Sequence, residues 1–130
     1  MEDDPDQLAV KERARLGLED QPIPKLRDLL EEHGVRIFEL KVPENVFSGF
    51  SWWHDEYGPC ILINADDERG RRAYTLAHEY AHLLAHDKPF VCYLDIKPQG
   101  DERFADRFAR SFFGQESLQS AILVVFLWLG

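Results

Sequence analysis

Two histidines four residues apart inside a strongly helical run constrain this chain more than any other feature of its sequence. The run is His78-Glu79-Tyr80-Ala81-His82. Because a helix turns once per 3.6 residues, both imidazoles lie on one face, with their Cβ atoms about 5–6 Å apart. Two imidazoles at this separation can bind one zinc ion, and Glu79, one residue along, can reach a water beside it. The segment therefore predicts a helix that carries a metal site.

The same pattern also arises by chance on charged, solvated helices. Here, however, apolar residues surround it, among them Leu76, Ala77, Leu83 and Leu84. These neighbours indicate a buried helix face, where His and Glu side chains without partners would be costly. We therefore favour a zinc site over a chance match.

A third ligand is needed, because catalytic zinc has three protein ligands and one open position. His86 continues the same helix face but lies one turn too far along the axis, so we regard it as an accessory residue. Glu102 and Asp106 are four residues apart on a later predicted helix. This spacing resembles the gluzincin arrangement, in which the Glu is the third ligand and the Asp orients a ligand histidine. The alternative is that both belong to a solvated acidic face.

Hydrophobic periodicity predicts an α+β domain. The predicted helices are residues 8–16, 24–33, a segment after Asp67 that reaches His86, and 101–113, and the predicted strands are residues 35–41, 46–53 and 60–64. We expect a small antiparallel sheet packed on a zincin-like helical core that carries the two histidines. Gly49 is interpreted as a possible bulge, and residues 87–100, with two prolines and a glycine, as a loop.

One domain is expected over residues 1–130, because the length allows only one modest core. Residues 1–8 are acidic and are expected to be frayed or disordered, and residues 114–130 have no assigned place. The apolar stretch at 121–129 is shorter than the roughly 20 residues that span a bilayer, so we expect no membrane segment.

The net charge of −9 and the pI of about 4.9 disfavour direct nucleic-acid binding, which depends largely on Lys and Arg. The acidic start, MEDDPDQ, lacks the basic flank and apolar run of a secretory signal. Cys60 and Cys92 each lie in an apolar context without a partner at metal-ligand spacing. We interpret both as buried free thiols, and expect a cytoplasmic protein.

Taken together, these segments resemble the ImmA/IrrE family of metallopeptidases over roughly residues 12–113. The resemblance rests on the segments HGVRIFEL, GFSWW, PCILIN, RAYTLAHE, HLLAH and ERFADRFA. The last is similar to the family pattern E-x-x-A-N-x-F-A, with Asp106 in place of Asn. The chain departs from the family after this point, where residues 110–114 replace a Leu-Leu-Met-Pro-like segment.

The resemblance implies a zincin-like zinc endopeptidase that cleaves a helix-turn-helix transcriptional repressor and so induces mobile-element or stress-response genes. His78, His82 and Glu102 would hold Zn²⁺, with Glu79 as the general base. Tyr74 and His86 are possible accessory groups at the oxyanion, as are Tyr93 and His54. The charge of −9 predicts salt-sensitive recognition of a basic repressor. The competing hypothesis is a zinc-stabilised binding module that sequesters a repressor or another protein without cutting it.

Overall fold

Helices and strands alternate along the part of the chain that the computed structural model describes, which is residues 4–43, 47–65, 69–85, 90–92 and 102–114. The elements are α1 (Pro5–Arg15), α2 (Leu26–Glu32), β1 (Arg36–Leu40), β2 (Gly49–His54), β3 (Gly58–Asn64), α3 (Arg69–Ala85), β4 (Phe90–Cys92) and α4 (residues 102–114). The predicted α+β class is confirmed. No helix within these ranges combines the length and the apolar character needed to cross a membrane.

The sheet is mixed, and the prediction that it is antiparallel is wrong for one pair of strands. The strand order is β1-β3-β2-β4, with β2 antiparallel to both of its neighbours and β1 parallel to β3. Strand β3 contains Ile61 and Ile63, whose side chains are almost completely buried, and it occupies an interior position between β1 and β2. Alternation of polar and apolar residues specifies the faces of a strand, but it does not specify the strand's neighbours.

The fourth strand lies inside the predicted loop at residues 87–100. Residues 49–51 of β2 pair with 90–92 of β4. The two prolines and the glycine of this stretch predict a loop, and the Phe-Val-Cys run is too short to predict a strand by itself. A proline that comes before the first residue of a strand removes no hydrogen-bond donor from the ladder.

The hydrophobic core lies between one face of the sheet and the helices. Ile37, Ile61 and Ile63 of the sheet, Leu30 of α2 and Ala77 of α3 belong to one buried cluster. Helix α4 joins the same cluster through Phe108 and Phe112, whose rings stack 5.3 Å apart and are fully buried. Each large apolar side chain contributes about 1.5–3 kcal/mol when buried, so α4 is held firmly beside α3.

The N-terminal helix begins earlier than predicted. Asp4 is its N-cap, and the Asp4 carboxylate accepts hydrogen bonds from the backbone amides of Asp6 and Gln7. Pro5 follows at the first helical position, where its missing N–H has no cost. The expectation that residues 1–8 are frayed is therefore wrong for residues 5–8, because a capping aspartate and a proline start the helix there.

Candidate metal centre

Helix α3 places His78 and His82 side by side in the interior. The two imidazole rings are 5.0 Å apart between centroids and meet edge to face. His82 is 1% exposed and His78 is 7% exposed. The i and i+4 spacing puts both rings on one face, as the sequence predicts, and this face is turned away from bulk solvent.

Glu102, at the start of α4, brings a carboxylate to both imidazoles. Its Oε1 lies 2.7 Å from Nε2 of His82, and its Oε2 lies 3.2 Å from Nε2 of His78. The ligand atoms of these three residues all lie within 4.8 Å of one another. Within the described ranges, this is the cluster of His, Cys, Asp and Glu that is compatible with a metal ion.

The chemistry of this cluster fits a zinc ion. Two imidazole nitrogens and one carboxylate are a ligand set that zinc takes in proteins, and here the carboxylate is already in hydrogen-bond contact with both rings, at 2.7 and 3.2 Å. The electrostatics also favour a cation. Burial lowers the pKa of His78, but the hydrogen bond to Glu102 and the charges of Glu79, Glu102 and Asp106 outweigh burial and raise the pKa above its ordinary value.

Asp106 contacts the other ring nitrogen of His78. Its Oδ1 lies 3.0 Å from Nδ1 of His78, while Nε2 of the same ring faces Glu102. Because Glu102 and Asp106 are one helical turn apart on α4, a single helix supplies both contacts. The structure thus brings both carboxylates of the Glu-x-x-x-Asp pair to one imidazole, that of His78.

Tyr74 lies on the far side of Asp106. Its hydroxyl donates a hydrogen bond of 2.9 Å to Oδ1 of Asp106. Burial, together with the hydrogen bond to Asp106 and the charge of that carboxylate, raises the pKa of Tyr74 to about 12. The phenol is therefore neutral at physiological pH and serves as a donor. The sequence suggested Tyr74 as an oxyanion group, whereas the structure places its hydroxyl on Asp106.

Gly49 of β2 packs directly on the Glu79 side chain. A Cβ at position 49 would lie 2.8 Å from Oε2 and 2.9 Å from Cγ of Glu79, and Glu79 is completely buried. The ladder through Gly49 is regular on both sides, so the interpretation of this glycine as a bulge is wrong. The glycine allows close approach of backbone and carboxylate instead, which is the other common reason for a glycine within a strand.

Asn64 fixes the segment that leads into Gly49. Its side-chain amide donates to the carbonyl oxygens of Phe47 and Pro43, and its backbone N–H donates to the Ser48 carbonyl at 3.1 Å. Asn64 itself is completely buried at the end of β3. Asn64, which the sequence analysis did not single out, thus sets the position of β2, the strand that covers Glu79.

Three other residues are candidates for the group that stabilises the oxyanion. His86 and Tyr93 lie outside the described residues. His54 is exposed, and its Nδ1 accepts hydrogen bonds from the backbone amides of Glu56 and Tyr57. His54 therefore stabilises the turn between β2 and β3.

Cys60 is a buried free thiol, as predicted.

A protein-family model matches the part of the chain that carries the candidate metal ligands. The model of a peptidase family, described as the IrrE N-terminal-like domain, matches residues 30–112. The chain belongs to this family. Membership supports a metallopeptidase-type function, and the His78, His82 and Glu102 cluster is compatible with the metal that such a function needs. No curated protein and no solved structure matches the chain.

Proposed function

We propose that this protein is a zinc endopeptidase in which His78, His82 and Glu102 hold the metal and Glu79 is the general base. The observation that carries the proposal is the convergence of two buried imidazoles and one carboxylate, with ligand atoms within 4.8 Å, in a chain of a peptidase family. A zinc ion held by these three residues would supply Lewis-acid chemistry, polarising the scissile carbonyl and acidifying water. A set of three protein ligands is typical of catalytic zinc, whereas structural zinc usually has four.

Asp106 prepares His78 to act as a ligand. A carboxylate 3.0 Å from Nδ1 favours the tautomer that carries its proton on Nδ1, which leaves the lone pair of Nε2 free to bind a metal. Tyr74 in turn donates to the Asp106 carboxylate and restricts its orientation. The chain Tyr74–Asp106–His78 thus sets the direction of one ligand.

Glu79 is the residue that moves the proton. Its position next to His78 in sequence places it beside the metal ligands rather than among them. It accepts a proton from the attacking water and delivers that proton to the nitrogen of the departing amine. Complete burial against Gly49 limits the positions open to the carboxylate, and this restriction favours a single productive geometry.

The substrate that we propose is a helix-turn-helix transcriptional repressor, whose cleavage would induce mobile-element or stress-response genes. Repressors that bind DNA carry basic surfaces, and this chain has a formal net charge of −9. Opposite charges raise the rate of association and lose their effect as salt increases. The repressor would present an exposed segment that enters the site in an extended form, and free DNA would be repelled.

The test is incubation of the zinc-loaded protein with purified helix-turn-helix repressors, with Glu79→Gln as the matched control. We expect cleavage by the wild type, loss of cleavage in the variant, and slower cleavage as salt rises. If every repressor stays intact but forms a stable complex with both proteins, the proposal of an endopeptidase fails and a non-cleaving binding module replaces it.

A further inference from the structure

Helix α1 lies outside residues 30–112, the part of the chain that the family matches. It nevertheless contacts both helices that supply the candidate metal ligands. Helix α3 carries His78 and His82, and α4 carries Glu102. The relative position of these two helices determines whether the three ligand atoms meet.

The contact with α3 is a polar group of three side chains, in which Glu12 and Tyr80 are buried and Arg15 covers them from the exposed side. Tyr80, inside the motif that holds the histidines, donates its hydroxyl proton to Oε2 of Glu12 at 2.7 Å. Arg15 donates from Nη2 to the Tyr80 oxygen at 2.6 Å and from Nε to Glu12 at 2.9 Å. Glu12 is only 7% exposed. Such bonds depend strongly on distance and direction, so they fix the orientation of α1 on α3.

The contact with α4 involves both ends of α1. Near its C-terminus, Arg13 donates from Nη1 to the Phe112 carbonyl oxygen at 2.5 Å, and its guanidinium lies 5.9 Å from the centre of the Phe112 ring. Near its N-terminus, Asp6 forms an ion pair with Arg107 at 2.7 Å and accepts a hydrogen bond from Ser111. Helix α1 therefore contacts α4 at two separate points.

The docked face of α1 combines apolar and charged side chains. Leu8 and Ala9 pack on the hydrophobic core, and Glu12 and Arg13 are buried on the same helix, so directional hydrogen bonds add to the apolar contact. An apolar stripe tolerates small shifts, because the hydrophobic effect is not directional. Charged side chains buried at a helix contact tolerate them poorly, since a displaced group loses its partner.

We infer that α1 is a positioning element for the metal centre, in which Glu12, Arg13 and Asp6 hold α4 against α3 so that Glu102 meets His78 and His82. This inference rests on the metal site of the proposed function. None of the three residues touches the ligands, so they act through Tyr80, Phe112 and Arg107.

Thermodynamic linkage makes the inference measurable. If docking of α1 favours the arrangement that binds metal, then metal binding must favour docking of α1 by the same factor. We expect about tenfold for this factor, within the range typical of coupling between sites. Helices α3 and α4 also pack directly, through Tyr80 and Phe108, and this packing alone would give no such coupling.

The first measurement is the zinc affinity of the full chain, by competition with a chelator, for wild type, Glu12→Gln and Asp6→Asn. Glu31→Gln is the matched control, because Glu31 makes an exposed ion pair with Arg27 on α2. We expect zinc affinity to fall about tenfold in Glu12→Gln and less in Asp6→Asn, and to stay unchanged in the control. A lower melting temperature with unchanged zinc affinity would show a merely structural role and overturn the inference.

The second measurement uses the wild type alone, so it holds even if a variant does not fold. Amide hydrogen exchange in residues 5–15 is compared with and without zinc, and we expect zinc to slow exchange there about tenfold. Exchange that is insensitive to zinc, in a protein that binds zinc, would contradict the inference and leave the proposed function standing. A wild type that binds no zinc at all would contradict both.

Discussion

Replacing Gly49 by alanine tests how closely the sheet backbone approaches the proposed base. The added methyl carbon would lie 2.8 Å from Oε2 of Glu79, whereas ordinary contact begins at 3.4 Å, so the carboxylate must withdraw by about 0.6 Å. Glu79 is completely buried and cannot rotate freely into solvent. A misplacement of about 1 Å can cost about 100-fold in rate, so we expect kcat to fall about 10- to 100-fold with the zinc content unchanged.

The same substitution has a predictable effect on stability. Overpacking in a core costs about 1–3 kcal/mol, and alanine in a strand recovers about 0.5–1 kcal/mol relative to glycine. We therefore expect a net loss of about 1 kcal/mol in the free energy of unfolding, measured by denaturant titration.

A double-mutant cycle shows whether the Glu79 contact is responsible. In a Glu79→Ala background the added methyl no longer meets the carboxylate, so Gly49→Ala should become neutral or slightly stabilising. An equal loss of stability in both backgrounds would refute the reasoning, as would full activity of the single variant.

Three further predictions concern the metal centre itself. Glu79→Gln should keep the fold and the zinc but lose about 100- to 10,000-fold in peptidase rate, because Gln cannot accept a proton at neutral pH; single-turnover cleavage by the wild type and the variant measures the loss. Asp106→Ala should weaken zinc binding about 10- to 100-fold, while Asp106→Asn, which keeps an acceptor oxygen for Nδ1 of His78, should weaken it less; chelator competition measures both. Chelation of the metal should abolish cleavage yet leave the far-ultraviolet circular dichroism unchanged, since the core is apolar and preformed; unfolding on chelation would instead indicate a structural zinc.

The sequence predicts the ligands better than it predicts what surrounds them. His78 and His82 are four residues apart on one helix, so local geometry alone brings their rings together. Glu102 and Asp106 come from a different helix, and their assignment needed the resemblance to a known family in addition to their spacing. Their contacts with His78 depend on how α4 packs against α3, a relation between elements distant in sequence.

Gly49 and α1 show where the sequence reasoning falls short. A glycine in an aromatic strand indicates either a bulge or a close approach, and only the three-dimensional neighbour, Glu79, decides between them. The docked face of helix α1 mixes apolar residues with the buried charges of Glu12 and Arg13, so hydrophobic periodicity does not predict how it docks. Long-range polar contacts of this kind leave no periodic pattern in the chain.

The strand order has a similar explanation. Alternation of polar and apolar residues identified β1, β2 and β3 within a few residues of their bounds. It contained no information on which strands pair, so the parallel pairing of β1 with β3 was not foreseen.

The central claim is that one zinc ion binds to His78, His82 and Glu102. Anomalous diffraction from crystals of the zinc-loaded protein, collected on both sides of the zinc absorption edge, tests it most directly. The account predicts a single anomalous peak about 2.0–2.1 Å from Nε2 of both histidines and about 2.0–2.2 Å from a carboxylate oxygen of Glu102. A peak elsewhere, or a zinc bound by His86 in place of Glu102, would contradict it.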